Sequence, residues 1–298
     1  MVNQLIVACI PAFNEEQNLA SVVTKVSKFA DKIIVCDDGS TDMTREIAVK
    51  LGCDLVVHSR RLGKGVALKD LFEKALDLEG DIIVTIDGDG QNNPDDIPAL
   101  INPIFQGEVD IVVGSRFLDK SNDIPFHRVI GNNVFTSFTR LLSSGNFKDL
   151  SDSQSGFRAY SRKVLEFVKI QTKGMGVDSE IIISASDSSF KITEIPISVT
   201  YNGNDGSTFN PIHHSLNVFY SLIKIASEQK PLLYFGLLGF ILIVGGLLMG
   251  LRVLTIFFES GGIATGSAII SVGLIVIGFL AANTAIVLQV ISNMKNRQ

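Results

Sequence analysis

Two uninterrupted apolar stretches near the end of the chain constrain it more than any other feature. Leu232 to Leu251 runs for twenty residues without a charge, and Ile263 to Leu288 is broken only by Gly, Ser, Thr and Asn. As helices, both are long enough to cross a hydrocarbon core of ~30 Å. A buried helical hairpin of a soluble protein, the alternative, rarely needs such length. The pattern predicts two membrane-spanning helices over about 231–252 and 263–290. Lys224 and Lys230 precede the first, Lys295 and Arg297 follow the second, and the link from Arg252 to Gly262 carries one Arg and one Glu. That bias of basic residues places both termini in the cytoplasm. Gly245, Gly246 and Gly250 are expected to let the two helices pack closely.

The preceding residues differ in kind. Residues 1–230 carry 23 Lys+Arg against 30 Asp+Glu, and the absence of a basic stripe argues against nucleic acid as a partner. Cys9, Cys36 and Cys53 are odd in number, lack metal-ligand spacing and lie in or beside apolar runs, which suits buried, reduced thiols. The N-terminal Met1-Val2-Asn3-Gln4 has no cationic segment and its apolar run stops at Pro11, so it reads as a strand and not as a signal peptide.

Strand and helix patterns alternate here. Strands are expected at Gln4 to Ile10, Lys32 to Cys36, Asp54 to Val57, Asp81 to Ile86, Asp110 to Gly114 and Lys191 to Val199. Helices are expected at Glu15 to Phe29, Thr41 to Leu51, Lys64 to Leu78, about Arg128 to Leu142, and Asp178 to Ser186. Such alternation implies parallel βαβ units in a doubly wound α/β sheet, which binds ligands beyond the carboxyl ends of its strands. Polar clusters fall at those ends: Pro11 to Glu16, Asp37 to Asp42, and Asp87 to Gln91. Pro211 to Lys230 has the pattern of an amphipathic helix, for the membrane interface or for packing on the preceding domain.

In Asp87-Gly88-Asp89-Gly90-Gln91, strand alternation would point Asp87 and Asp89 the same way, and the glycines would let a bulky ligand approach. Two carboxylates and an amide oxygen suit a hard divalent cation that keeps open positions for phosphate oxygens. The plain alternative is an acidic turn capping the helix that begins near Pro94-Asp95-Asp96.

Taken together, Pro11-Ala12-Phe13-Asn14-Glu15-Glu16, Cys36-Asp37-Asp38-Gly39-Ser40-Thr41-Asp42, the acidic turn, and Asp152-Ser153-Gln154-Ser155-Gly156-Phe157-Arg158 resemble the family 2 glycosyltransferases of GT-A fold. The similarity is to the polyprenyl-phosphate branch, the dolichyl-phosphate mannose synthases and undecaprenyl-phosphate glucosyltransferases, and spans residues 4 to about 205. It implies a nucleotide-sugar-binding, Rossmann-like catalytic domain over about residues 1–210, followed by the interfacial helix and the two spans.

Position by position, the resemblance implies that Pro11, Phe13 and Glu15 line the nucleoside pocket and that Asp38 contacts base or ribose; helix capping is the alternative for Asp38, and Thr41 is expected to supply that cap. Asp89 and Gln91 would bind Mg2+ or Mn2+, and Asp87 the ribose, the sugar or the cation. Lys64, in Arg60-Arg61-Leu62-Gly63-Lys64-Gly65, is expected either to touch the nucleotide or to sit on a solvated basic turn. Arg116 and Arg128 would serve the donor diphosphate and acceptor phosphate, since guanidinium pairs two oxygens at once; for Arg116 an ion pair with a nearby carboxylate is the alternative. Gln154 and Ser155 offer partners to sugar hydroxyls. Glu180 is either an acidic group on the acceptor side or a carboxylate favoured by its helix N-terminus. One departure stands out: many mannose synthases of this group carry basic residues where this chain has Tyr201 to Thr208.

The implied reaction is inverting transfer of a hexose or N-acetylhexosamine from a UDP- or GDP-sugar to a polyprenyl phosphate in the membrane. A non-catalytic nucleotide-sugar-binding scaffold and a transferase for another acceptor are the competing readings. A processive polysaccharide synthase is disfavoured, because the chain lacks the Trp of the Gln-x-x-Arg-Trp segment. The sequence leaves the oligomeric state open, a homo-oligomer included.

Overall fold

The structure is a computed structural model that describes residues 4–119, 124–143, 149–174, 176–186, 188, 190–200, 231–262 and 264–295. These fall into two units, one on each side of residues 201–230. The proposed interfacial helix, the Tyr201 to Thr208 segment, Lys224, Lys230 and Arg297 lie outside the described residues.

The first unit is built on seven strands: β1 Ile6–Ala12, β2 Lys32–Asp37, β3 Asp54–Val57, β4 Ile82–Thr85, β5 Ile111–Ser115, β6 Arg158–Ser161 and β7 Ile192–Pro196. Their order is β3-β2-β1-β4-β6-β5-β7. The β1–β2, β1–β4, β2–β3 and β5–β7 pairs are parallel, while β6 runs antiparallel between β4 and β5. The sheet is therefore mixed: the expected parallel pairs are joined by an antiparallel β6. β6 escapes sequence reading because a four-residue strand opening on a charged Arg158 shows too little alternation to register.

Among the described residues, helices α1 Leu19–Val26, α2 Thr44–Lys50, α3 Lys64–Asp77, α4 Ile97–Phe105, α5 Phe126–Leu142, α6 Arg162–Phe167 and α7 Val177–Ser186 belong to this unit. Successive β1 side chains enter opposite layers, as a strand dictates. Val7 and Cys9 pack with Leu68 and Leu71 of α3 and Ile181 and Ile182 of α7. Ala8 and Ile10 pack with Leu19, Val22 and Val23 of α1 and Ile97 and Leu100 of α4. Burial on both faces explains the near-continuous apolar run of β1. Cys9 and Cys36 are buried free thiols; Cys53 is only half-buried.

The second unit consists of α8 Pro231–Ser260 and α9 Thr265–Lys295. Tyr234–Ser260 and Thr265–Ile291, with mean hydropathy 2.4 and 2.3, are long and apolar enough to cross a membrane. The helices touch through glycine. A Cβ on Gly239 would meet the Gly278 carbonyl, one on Gly246 would lie 2.9 Å from the Ser271 carbonyl, and the Ser271 hydroxyl donates to the Gly246 carbonyl at 2.7 Å. Gly245 faces nothing within 4 Å, so of the adjacent pair only Gly246 lies in the contact.

Candidate active site

The carboxyl ends of β1 and β2 lie side by side, Ala12 opposite Asp37. The loops that follow hold one another through side chain to backbone hydrogen bonds. Asn14, in the left-handed region at φ 57°, donates its N–H to Ser40 Oγ at 3.0 Å and accepts from the Thr41 N–H at 2.9 Å. The Glu15 N–H donates to Thr44 Oγ1 at 2.8 Å, and the Met43 N–H to the Glu16 carboxylate at 3.0 Å. Thr41 is not the cap it was expected to be: α2 starts at Thr44, and Asp42 Oδ1 accepts from the Thr44 N–H and hydroxyl at 3.0 and 2.5 Å. A carboxylate meets two donors at a helix start better than one hydroxyl.

Asp38 is held by the loop that follows β3. It is buried, with Oδ1 at 2.7 Å from His58 Nδ1 and 2.8 Å from the Leu62 N–H, and Oδ2 at 2.8 Å from the Gly63 N–H. Its carboxylate faces the 58–63 loop. Phe13 lies at this edge, with the Arg61 guanidinium stacked 4.0 Å from its ring centroid, and half-buried Pro11 is the penultimate residue of β1.

Lys64 begins α3 and turns inward, so the solvated-turn alternative is excluded. Its ammonium lies 3.0 Å from Asp87 and 3.2 Å from Asp178, with the lysine side chain 12% exposed and that of Asp178 4%. Burial alone would lower the Lys64 pKa, but Asp178 and then Asp87 outweigh it and hold the ammonium charged. Gly156 makes the room: a Cβ there would sit 2.5 Å from Lys64 Nζ and 2.7 Å from Asp87 Oδ2.

β4 stops at Thr85, so Asp87 to Gln91 is a turn and strand alternation does not orient its carboxylates. Asp87 is drawn to Lys64. Half-buried Asp89 accepts from the Gln91 N–H at 3.0 Å, and Arg128 Nη1 of α5 reaches Gln91 Oε1 at 3.5 Å. Glu15 faces the same turn. Burial pushes its carboxyl up to about 7; a hydrogen bond from Asn18 opposes this, and Asp89, Asp87 and Asp42 add to it.

The Asp152 to Arg158 stretch forms the far wall. Arg116 pairs with Asp152 through two bonds, Nε at 2.7 Å and Nη2 at 2.8 Å, so the ion-pair alternative is the observed one. Glu194 of β7 accepts from the Ser151 and Asp152 N–H groups at 2.7 and 2.9 Å. Fully buried Arg158 donates to the carbonyls of Ser153, Ser155 and Asp178. Gln154 Nε2 donates to Ser179 Oγ at 2.7 Å, and the buried Ser155 Oγ accepts from the Phe157 N–H at 3.3 Å. Both side chains thus serve the wall itself. Glu180 is buried and accepts from the Gln171 and Thr172 N–H groups at 3.0 and 2.9 Å. Asp178, two residues earlier, is the acidic group of α7 that reaches the acidic turn. Its pairing with Lys64, and the role of His58, lay beyond sequence reasoning, because both partners come from distant segments.

Among the described residues no three His, Cys, Asp or Glu side chains converge as a metal site. The turn still fits a divalent ion of the Mg2+ kind, which takes one or two protein carboxylates and completes its shell with substrate phosphates. The crowding of Glu15 against Asp87 and Asp89 is negative charge that such an ion would offset.

A sheet of this order, with its acidic turn beyond the central strands, is the GT-A fold of glycosyltransferases. Among solved structures, glucosyl-3-phosphoglycerate synthase from Mycobacterium tuberculosis in complex with Mn2+, UDP and glucosyl-3-phosphoglycerate has a TM-score of 0.59 and 25% identity, covering 75% of this chain and 80% of that one. The description "Glycosyl transferase family 2" matches residues 7–168, more than half of the sequence. The UDP-N-acetylglucosamine–dolichyl-phosphate N-acetylglucosaminyltransferase of Methanococcus voltae is 32% identical over 247 residues, 76% of this chain and 97% of the relative. The dolichol-phosphate mannosyltransferase of Pyrococcus furiosus is 28% identical over 261 residues, 85% of this chain and 72% of the relative. The chain belongs to glycosyl transferase family 2, and it is a glycosyltransferase.

Proposed function

We propose that this glycosyltransferase is held in the membrane by α8 and α9, with its sheet unit and both termini in the cytoplasm, and moves a hexose or N-acetylhexosamine from a UDP- or GDP-sugar to a polyprenyl phosphate. One observation carries the reading: side chains from three separate segments meet at residues 87–91. Lys64 pairs with Asp87, Glu15 crowds the carboxylates, and Arg128 reaches Gln91. The names of the dolichyl-phosphate relatives and the two apolar helices support the lipid acceptor.

In this reading Pro11, Phe13 and Arg61 flank the nucleoside, while Asp89 and Gln91 hold Mg2+ or Mn2+ beside the diphosphate. The bound ion supplies neutralisation of charge on the departing nucleoside diphosphate. Lys64 fixes Asp87, leaving it to orient the ribose or sugar. Arg128, and Arg116 held rigid by Asp152, steer the acceptor phosphate, whose second pKa of ~6 leaves it largely dianionic at neutral pH. The acceptor oxygen is then nucleophilic without a general base, and the protein's task is alignment behind the anomeric carbon. Displacement from that side inverts the anomeric centre.

The test is to incubate the full-length protein in detergent with UDP- and GDP-sugars and dolichyl or undecaprenyl phosphate, and to look for a glycolipid by mass. A sugar phospholipid that forms only when the lipid phosphate is present is the expected product. Nucleotide-sugar binding with no product from either lipid would favour a scaffold or another acceptor.

A further inference from the structure

His58 follows β3 and is buried between two carboxylates on different elements. Its Nδ1 lies 2.7 Å from Asp38, beyond β2, and its Nε2 lies 2.9 Å from Asp70, on α3. A neutral imidazole has one N–H and cannot donate to both; only the doubly protonated ring satisfies two carboxylates at these distances. The third titratable group facing the ring is the Cys36 thiol of β2, 3.8 Å from Nε2. Burial pushes that thiol far up, so it stays neutral.

What the imidazole holds is the loop that bears Arg61. Asp38 receives His58 and also the Leu62 and Gly63 N–H groups, so one carboxylate ties ring and loop together. The loop is also pressed against residue 39, where a Cβ would lie 2.5 Å from the Arg60 carbonyl carbon and 2.7 Å from the Arg61 nitrogen. Arg61 then stacks on Phe13. Asp70 is one-third exposed and lines a cavity of about 350 Å³ with Leu62, Lys69 and Thr172.

We propose that His58 is a positioning residue: as an imidazolium bridging Asp38 and Asp70 it sets the 58–63 loop, and through it the Arg61–Phe13 wall, against the nucleoside of the donor. This rests on the nucleotide-sugar reading of the site. Burial works against the charged ring, but the two carboxylates outweigh it and raise the His58 pKa, so loss of the proton on the alkaline side releases Asp70 and loosens the wall.

The experiment is the affinity of the full-length protein in detergent for UDP and for GDP, by calorimetry, from about pH 6.5 to pH 9.5. Wild-type affinity for the preferred nucleotide is expected to fall as pH rises, and His58→Gln is expected to bind about tenfold more weakly already at neutral pH. Asp70→Asn keeps the ring and the Asp38 contact, and it is expected to move the alkaline fall to lower pH. A merely structural histidine would leave that midpoint in place. The same midpoint in Asp70→Asn and wild type, or wild-type affinity in a folded His58→Gln, would overturn the inference while leaving the donor reading intact. If wild type binds neither nucleotide, both fall.

Discussion

Asp38 and Asp89 both lie just beyond a central parallel strand, both sit in acidic motifs, and they have opposite fates. Asp38 is 5% exposed and gives both oxygens to His58 and the 62–63 backbone. Asp89 is half-buried and takes the Gln91 N–H two residues on, in a turn that crowds further carboxylates. A carboxylate whose oxygens meet donors from a distant loop is architecture. One set among like charges is under tension that a cation or a substrate can relieve. The residue type does not separate the two; the donors folded around it do.

The largest effect that sharpens this contrast is on activity. Asp89→Ala is expected to lower sugar transfer by about a thousandfold, several kcal/mol of transition-state stabilisation, with a thermal melt near that of wild type. A melt far below wild type would put Asp89 in the architecture class with Asp38. Asp38→Ala should act the other way round, leaving the His58 imidazolium one carboxylate short and two loop N–H groups unpaired in a buried place. Its stability should drop by about 3–5 kcal/mol, read as a lower midpoint in chemical denaturation.

How much of this was legible in the sequence differs between the same two loops. Parallel strands at the centre of the sheet were readable because burial on both faces leaves an unbroken apolar run, and their polar ends marked the site. The role of Asp38 was not, since Leu62 and Gly63 belong to a turn whose docking depends on tertiary contact. Asp178 and Glu180 share the first turn of α7, and nothing local tells which one meets Lys64 and which one holds the 171–172 backbone. β6 was hidden because its charged first residue, Arg158, is buried and satisfied by three carbonyls.

A third substitution probes the ion pair that backs the acidic turn. Gly156→Ala places a methyl against Lys64 and Asp87, and overpacking of this kind costs roughly 1–3 kcal/mol. The expected result is a moderately lower melt together with a raised KM for the nucleotide sugar. An unchanged KM would separate the pair from donor binding.

The smallest effect is on pH dependence. The folded His58 pKa is raised, so its contribution to stability is fully present below the unfolded value of about 6.5 and is lost as pH rises through the folded value. Thermal melts of wild type should therefore decline on the alkaline side of neutrality, and those of His58→Gln should decline less over the same window.

The most direct test of the central claim is glycolipid formation by the full-length protein with its preferred nucleotide sugar and lipid phosphate, measured in Mg2+ or Mn2+ and again after chelation. The account predicts product with metal, none after chelation, and recovery when metal is restored to wild type but not to Asp89→Ala. Undiminished product after chelation, or equal recovery by the variant, would contradict it.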